Sequence, residues 1–129
     1  MATKQEAIAA IANPETKGFW EAAAEGRLLI PKCTACGRVH WYPRRICPHC
    51  GSSTIEMQEA KGSGEIYSYS IMRRAKVPYA IAYVRITEGA TMMTNIVDCD
   101  FEHVHVGMPV KLIFKDNAEG YPLPMFTKA

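Results

Sequence analysis

The chain has 129 residues, enough for one small domain or two very small modules on a shared core, and too few for a TIM barrel or a two-domain dehydrogenase. Apolar residues make up 48% and charged residues 22%, a globular balance that argues against wholesale disorder, and no stretch reaches the ~18 apolar residues of a membrane helix. The formal net charge is only +2, a weak signal for a nucleic-acid partner.

The N-terminal run MATKQEAIAAIANPE has no long apolar stretch and breaks at Pro14, so it does not read as a signal peptide, and a cytoplasmic location is expected. Thr3 precedes Glu6 at capping-box spacing, and Ile8, Ile11 and Ala12 follow at helical intervals. Asn13-Pro14 stops this helix and starts a second, because proline lacks an amide that would be unpaired there anyway. The second helix carries Phe19, Trp20, Ala23 and Ala24 and ends at Gly26. Helices this short are marginal alone and need a surface to lie on.

A strand over 27–32 leads into Cys33, residues 33–50 form a compact cysteine module, and a strand over 55–59 leaves it. Gly62-Ser63-Gly64 reads as a turn. Residues 65–72 alternate as a strand, with Tyr67, Tyr69 and Ile71 on one face. Residues 79–86 and 91–97 are apolar and β-branched, with Glu88-Gly89 as the hairpin turn between them. Gly107-Met108-Pro109 precedes a last strand over 110–114. The two prolines of residues 120–126 predict an extended, docked tail. Short strands with glycine turns, about 65 residues in five strands, point to a small antiparallel barrel of OB-fold type rather than a sandwich. The expected class is mainly β: N-terminal helices over 1–26, a metal ribbon over 27–61, and a barrel with an extended tail over 62–129.

Cys33-x-x-Cys36 and Cys47-x-x-Cys50 carry the clearest chemistry. Two intervening residues let both thiolates of a knuckle reach one ion, and Gly37 and Gly51 stand where the tight turn calls for positive φ. Two knuckles complete a tetrahedral four-sulfur site, for which zinc is the expected ion and iron the alternative. Filling it adds about −2 to the chain's charge, which leaves the protein near neutral. A redox dithiol would show one CxxC, not two matched pairs. With four sulfurs available, His40 and His49 are expected to be exposed loop residues. Cys99 reads as a small apolar residue near a strand end. His103 and His105 read as part of a solvated strand face or loop. No G-x-S-x-G, phosphate loop or H-E-x-x-H is present, so no catalytic residue is assigned.

Further motifs fall in order around these knuckles. Gly26-Arg-Leu-Leu-Ile30, Cys33-x-x-Cys36-Gly37, Tyr42-Pro-Arg44 and Cys47-Pro-x-Cys50-Gly51-Ser52 lie in the first half. Gly64-Glu-Ile-Tyr67, Pro78-Tyr79, Glu88-Gly89 and Val106-Gly107-Met-Pro109-Val110 lie in the second. Over residues 14–127 the chain resembles the acyl-CoA-associated zinc-ribbon plus OB-fold family, domain of unknown function 35. The resemblance implies N-terminal helices, a rubredoxin-like zinc ribbon and a C-terminal OB barrel. It further implies a small, non-catalytic partner subunit of a thiolase-like enzyme performing acyl transfer, thiolysis or retro-aldol cleavage. The catalytic residues would belong to the partner, and a CoA thioester would be a ligand of the complex. Some members are fused to hydratase-like domains; this chain is too short to hold one, so its enzyme is expected in trans.

Two functions of different class follow. In the first, the chain is such an accessory subunit. Phe19 and Trp20, beside small alanines, then form the partner interface or pack on the chain's own barrel. Arg73, Arg74 and Lys76, with Arg44 and Arg45 of the ribbon, would meet CoA phosphates or form a solvated basic face. In the second, the chain is a single-stranded nucleic-acid-binding module, with the same basic residues for charge and Trp41, Tyr42, Tyr67 and Tyr69 as stacking faces. Near-neutral charge disfavours it, so no nucleic acid and no membrane are expected as partners.

Overall fold

A computed structural model describes residues 14–116 and 120–129. The first predicted helix, with Thr3, Glu6, Ile8 and Ile11, lies outside them. In chain order the elements are α1 (Lys17–Ala24), β1 (Leu29–Cys33), β2 (Ile55–Glu59), β3 (Ser63–Met72), β4 (Tyr79–Ile86), β5 (Thr91–Ile96), a 3-10 turn at Phe101–His103, β6 (Pro109–Asp116) and β7 (Pro122–Lys128). β1 and β2 form a two-stranded sheet; the other five strands close a barrel in the order β3-β4-β5-β7-β6. The class is mainly β, and the barrel is the five-stranded OB-fold that the strand pattern predicts. Among the described residues no helix is long and apolar enough to cross a membrane.

α1 starts later than Pro14. Residues 14–16 are wound as a turn, and the Trp20 amide donates to the Thr16 carbonyl at 3.1 Å. Its end is as predicted: Gly26 has φ 78°, and the Arg27 and Gly26 amides donate to the Ala22 and Ala23 carbonyls at 2.9 and 3.0 Å. This double closure is a Schellman cap, whose left-handed residue glycine adopts without a Cβ clash. Arg27 then reaches Glu59 at the far end of the β1–β2 pair, Nε to Oε1 2.6 Å. Phe19 of α1, Leu28, and Ile30 of β1 share one buried cluster with Ile66, Val84, Met92, Val110 and Phe126 of the barrel. Helix, ribbon base and barrel therefore stand on a common core, which gives the short helix its needed surface.

β4 alternates cleanly, burying Ala80, Ala82, Val84 and Ile86. β3 does not. Ile66 pairs with Val84 but Ser68 pairs with Tyr83, so Tyr67 is an extra residue, a β-bulge. The bulge separates Tyr67 from Tyr69 and Ile71, which strict alternation had placed on its face. Tyr69 and Ile71 stand opposite inward-facing Ala82 and Ala80, whereas Tyr67 lies under the Arg85 guanidinium, 4.8 Å from its ring centroid. Gly64 is likewise not in the turn. It sits inside β3, paired to both β4 and β6, where a Cβ would meet the Arg85 carbonyl oxygen at 2.6 Å. Glycine is needed there because the barrel closes on it.

The C-terminal residues are a strand, not a docked tail. Prolines 122 and 124 suggested otherwise, because proline removes a ladder donor. Phe126 turns its carbonyl toward β5, accepting from the Val97 amide at 2.9 Å. Backbone groups alternate sides along a strand, so Pro122 and Pro124 turn their nitrogens the same way. β7 meets β5 at one parallel pair, Ile96 with Phe126, while its antiparallel ladder to β6 runs unbroken from Lys128 to Pro122. The missing donors thus fall on the side with little ladder to lose.

Candidate metal centre

The two cysteine knuckles are copies of each other. In the first, the Cys33 amide donates to the Arg38 carbonyl at 2.9 Å and the Gly37 amide to the Cys33 carbonyl at 2.8 Å. In the second, the Cys47 amide donates to the Ser52 carbonyl at 2.8 Å and the Gly51 amide to the Cys47 carbonyl at 2.9 Å. Gly37 and Gly51 have φ 76° and 79°, the left-handed turn that their place after each second cysteine predicts. The first knuckle hangs from the end of β1, where Lys32 bridges Val39.

All four Sγ atoms lie within 4.8 Å of one another. Cys33 and Cys50 approach to 3.6 Å, and Cys36 and Cys47 to 3.7 Å. A tetrahedron with metal–sulfur bonds of about 2.3 Å has edges of about 3.8 Å. The sulfurs are therefore spaced to share one ion, and too far apart to be disulfides. Cys33 and Cys47 are buried, while Cys36 and Cys50 are exposed. The Cys36 backbone amide, helped by that of Ala35, holds the Cys33 thiol down to about 6 against the opposing effect of burial. The Ser52 amide favours the Cys50 thiolate, but neighbouring thiols and burial outweigh it and push that group up to about 11. Four thiolates held this close would repel one another, and a divalent ion removes that repulsion. The donor set fits zinc, and four protein sulfurs leave no position for water or substrate.

Neither histidine joins the cluster. His40 is not the exposed loop residue expected: its amide pairs with the Pro31 carbonyl at 3.1 Å, which draws it against β1 and leaves it 5% exposed. Burial first, then His49 and Arg44, lower its pKa below the ordinary 6.5. His49 is exposed, Nε2 3.4 Å from the Val39 carbonyl. Cys99 is half-buried just after β5, beside an open hollow of about 660 Å³ that Asp98, Asp100, His103 and Lys128 also line. His103 ends the 3-10 turn, and the His105 ring nitrogen Nδ1 lies 2.8 Å from the His103 carbonyl, so the run is a loop.

The basic residues are not brought together. Arg73, Arg74 and Lys76 are exposed in the β3–β4 loop. Arg44 and Arg45 line a separate ribbon hollow with Pro43, Ile55 and Met57 that includes none of them. Phe19 is 2% exposed, held edge-on between Trp20 and Trp41 at centroid distances of 4.9 and 5.2 Å. Trp20 is partly exposed and opens onto an apolar groove of about 480 Å³, shared with Trp41, Tyr42, Tyr83, Met93 and Met125. The sequence offered Trp20 as an anchor but not the groove itself, since its walls come from α1, the ribbon, and strands β4, β5 and β7. Phe19, Trp20, Trp41 and Tyr42, singled out in the sequence for separate reasons, were its linear trace.

Residues 20–56 match a family model described as ChsH2, rubredoxin-like zinc ribbon domain, and residues 57–115 match ChsH2, C-terminal OB-fold domain. A "Probable enoyl-CoA hydratase alpha subunit" of Thermomonospora curvata is 38% identical over 86% of this chain, which spans 37% of that relative's length. A "DUF35 domain-containing scaffold protein" of Methanocaldococcus jannaschii is 38% identical over 74% of each chain. Among solved structures, the Ltp2-ChsH2(DUF35) aldolase is similar with a TM-score of 0.79 and 34% identity, over 92% of this chain and 97% of that one. In sequence and in fold, this chain belongs to the DUF35 family of ChsH2-type zinc-ribbon and OB-fold proteins.

Proposed function

We propose that this chain is a non-catalytic, zinc-holding accessory subunit of a thiolase-type acyl-CoA enzyme. The observation that carries this is the closed four-sulfur site: Cys33, Cys36, Cys47 and Cys50 saturate an ion, so the ion's contribution is to hold the ribbon, not to activate substrate. The names of the relatives support it, since one is a scaffold protein, one a probable enoyl-CoA hydratase alpha subunit, and one the Ltp2-ChsH2(DUF35) aldolase. The ribbon and barrel form a rigid base for the Trp20 groove, which receives the enzyme. Arg73, Arg74 and Lys76, with Arg44 and Arg45 in support, meet the phosphates of CoA bound in the complex. The reaction is acyl transfer, thiolysis or retro-aldol cleavage on the partner's residues, in the cytoplasm.

Affinity purification from the native cells, with mass spectrometry of what co-elutes, tests this. A thiolase-like enzyme should elute in fixed stoichiometry, and its acyl-CoA turnover should require this chain. Turnover by the purified chain alone, abolished by Cys99→Ala, would overturn the reading. Salt-sensitive binding of a single-stranded oligonucleotide in place of the enzyme would favour the nucleic-acid module instead.

A further inference from the structure

We propose that the four-cysteine cluster is also an oxidation site, at which a hydroperoxide converts the ribbon into a metal-free form with disulfides linking one knuckle to the other. This rests on the metal-centre reading above. The geometry that points to it is a pairing of exposure with distance. Cys36 and Cys50 are exposed; Cys33 and Cys47 are buried. The sulfur contacts at 3.6 and 3.7 Å each join one exposed cysteine to one buried cysteine of the opposite knuckle, Cys50 to Cys33 and Cys36 to Cys47. An oxidant arriving from solvent meets the exposed member, and the resolving sulfur is already in place behind it.

The chemistry is two-electron at each pair. The exposed thiolate attacks the O–O bond of the peroxide; an S–O bond forms, the O–O bond breaks, and the leaving oxygen takes a proton to become water or an alcohol. The buried sulfur then attacks the sulfenic sulfur. An S–S bond forms, the S–O bond breaks, and hydroxide leaves with a proton as water. One hydroperoxide is reduced per disulfide, so two oxidise the whole cluster. Each disulfide removes two thiolate donors, and the ion is released. The base of the ribbon survives, because the β1–β2 ladder and the shared core do not pass through the sulfurs. Reduction by a dithiol in the presence of zinc restores the site.

The products are distinguishable by mass. Trypsin cuts after Lys32, Arg38, Arg45 and Lys61, so each knuckle emerges on its own peptide, Cys33–Arg38 and Ile46–Lys61. The metal content of the purified protein is measured first by elemental analysis. Two equivalents of hydrogen peroxide are then added, ion release is followed with a chromogenic chelator, remaining thiols are alkylated, and the peptides are mapped without reduction. The expected result is loss of the ion together with one linked peptide pair, four hydrogens lighter than its parts, whose fragments assign Cys33 to Cys50 and Cys36 to Cys47. Two unlinked peptides, each two hydrogens lighter, would overturn the proposal, as would thiols that stay reduced and an ion that stays bound. A protein that holds no ion at the start contradicts the metal-centre reading, while the peptide map still decides which sulfurs pair.

Discussion

The four ribbon cysteines are spaced to share a single ion, so serine at any of them should cost more than one contact. The hydrogen bonds within a knuckle are few, and the module between β1 and β2 has little core of its own; metal-binding energy here is folding energy. Replacing Cys33, Cys36, Cys47 or Cys50 with Ser should abolish stoichiometric zinc and unfold residues between the two ribbon strands. Elemental analysis and amide-exchange of 33–54 check this, and a serine variant that melts like wild type would contradict it. His40 predicts a pH effect. Its folded pKa lies below the ordinary value because burial disfavours the imidazolium. Below about pH 6.5 the unfolded state therefore binds the proton that the folded state refuses, and stability falls as pH falls. His40→Leu should flatten that part of the profile, read as the change in urea midpoint between about pH 7.5 and 6. An unchanged slope would show that His40 is not the group responsible.

Among the elements, α1 divides its two aromatic residues between two duties. Phe19 is inside the core, beneath Trp20 and Trp41. Trp20, one residue on, looks onto the groove. Phe19→Ala should cost the fold about 3–5 kcal/mol, as a buried aromatic truncation does. Trp20→Ala should instead weaken assembly with the enzyme by at least ~2 kcal/mol while zinc content and melting change little. Thermal melts alongside a titration of subunit against enzyme separate the two. Undiminished assembly of the Trp20 variant would move the interface away from α1. The sequence placed both aromatics on one helix without telling them apart, because their adjacency leaves the inward face undefined until the helix is docked.

At the scale of the whole molecule, the barrel presents Arg73, Arg74 and Lys76 at one place and the ribbon presents Arg44 and Arg45 at another. The loop group offers three exposed cations within four residues, so it is the group chosen to test phosphate contact. In the assembled enzyme, Arg73→Ala with Arg74→Ala should raise KM for acyl-CoA with kcat little changed, since ground and transition states lose the same contact. A pantetheine substrate lacking the nucleotide should be indifferent. Equal loss with both substrates would indicate a defect in assembly instead.

Local chemistry made much of this protein legible from its residues in order. CxxC spacing followed by glycine specifies a knuckle, because the turn, the amides and the two sulfurs all lie within five residues. The Gly26 cap and the Glu88-Gly89 hairpin are equally local, and both stand where they were read. What only the tertiary structure decided involves partners distant in sequence. The Tyr67 bulge reflects how β3 must pair with β4, and Gly64 is needed because β4 crowds it. β7 keeps its prolines because the ladder it needs lies toward β6, not β5. His40 is buried because β1 receives its amide, and the Trp20 groove exists because three parts of the chain meet there. A linear pattern records which residues can turn, bind or alternate; which side they face is set by neighbours that arrive only on folding.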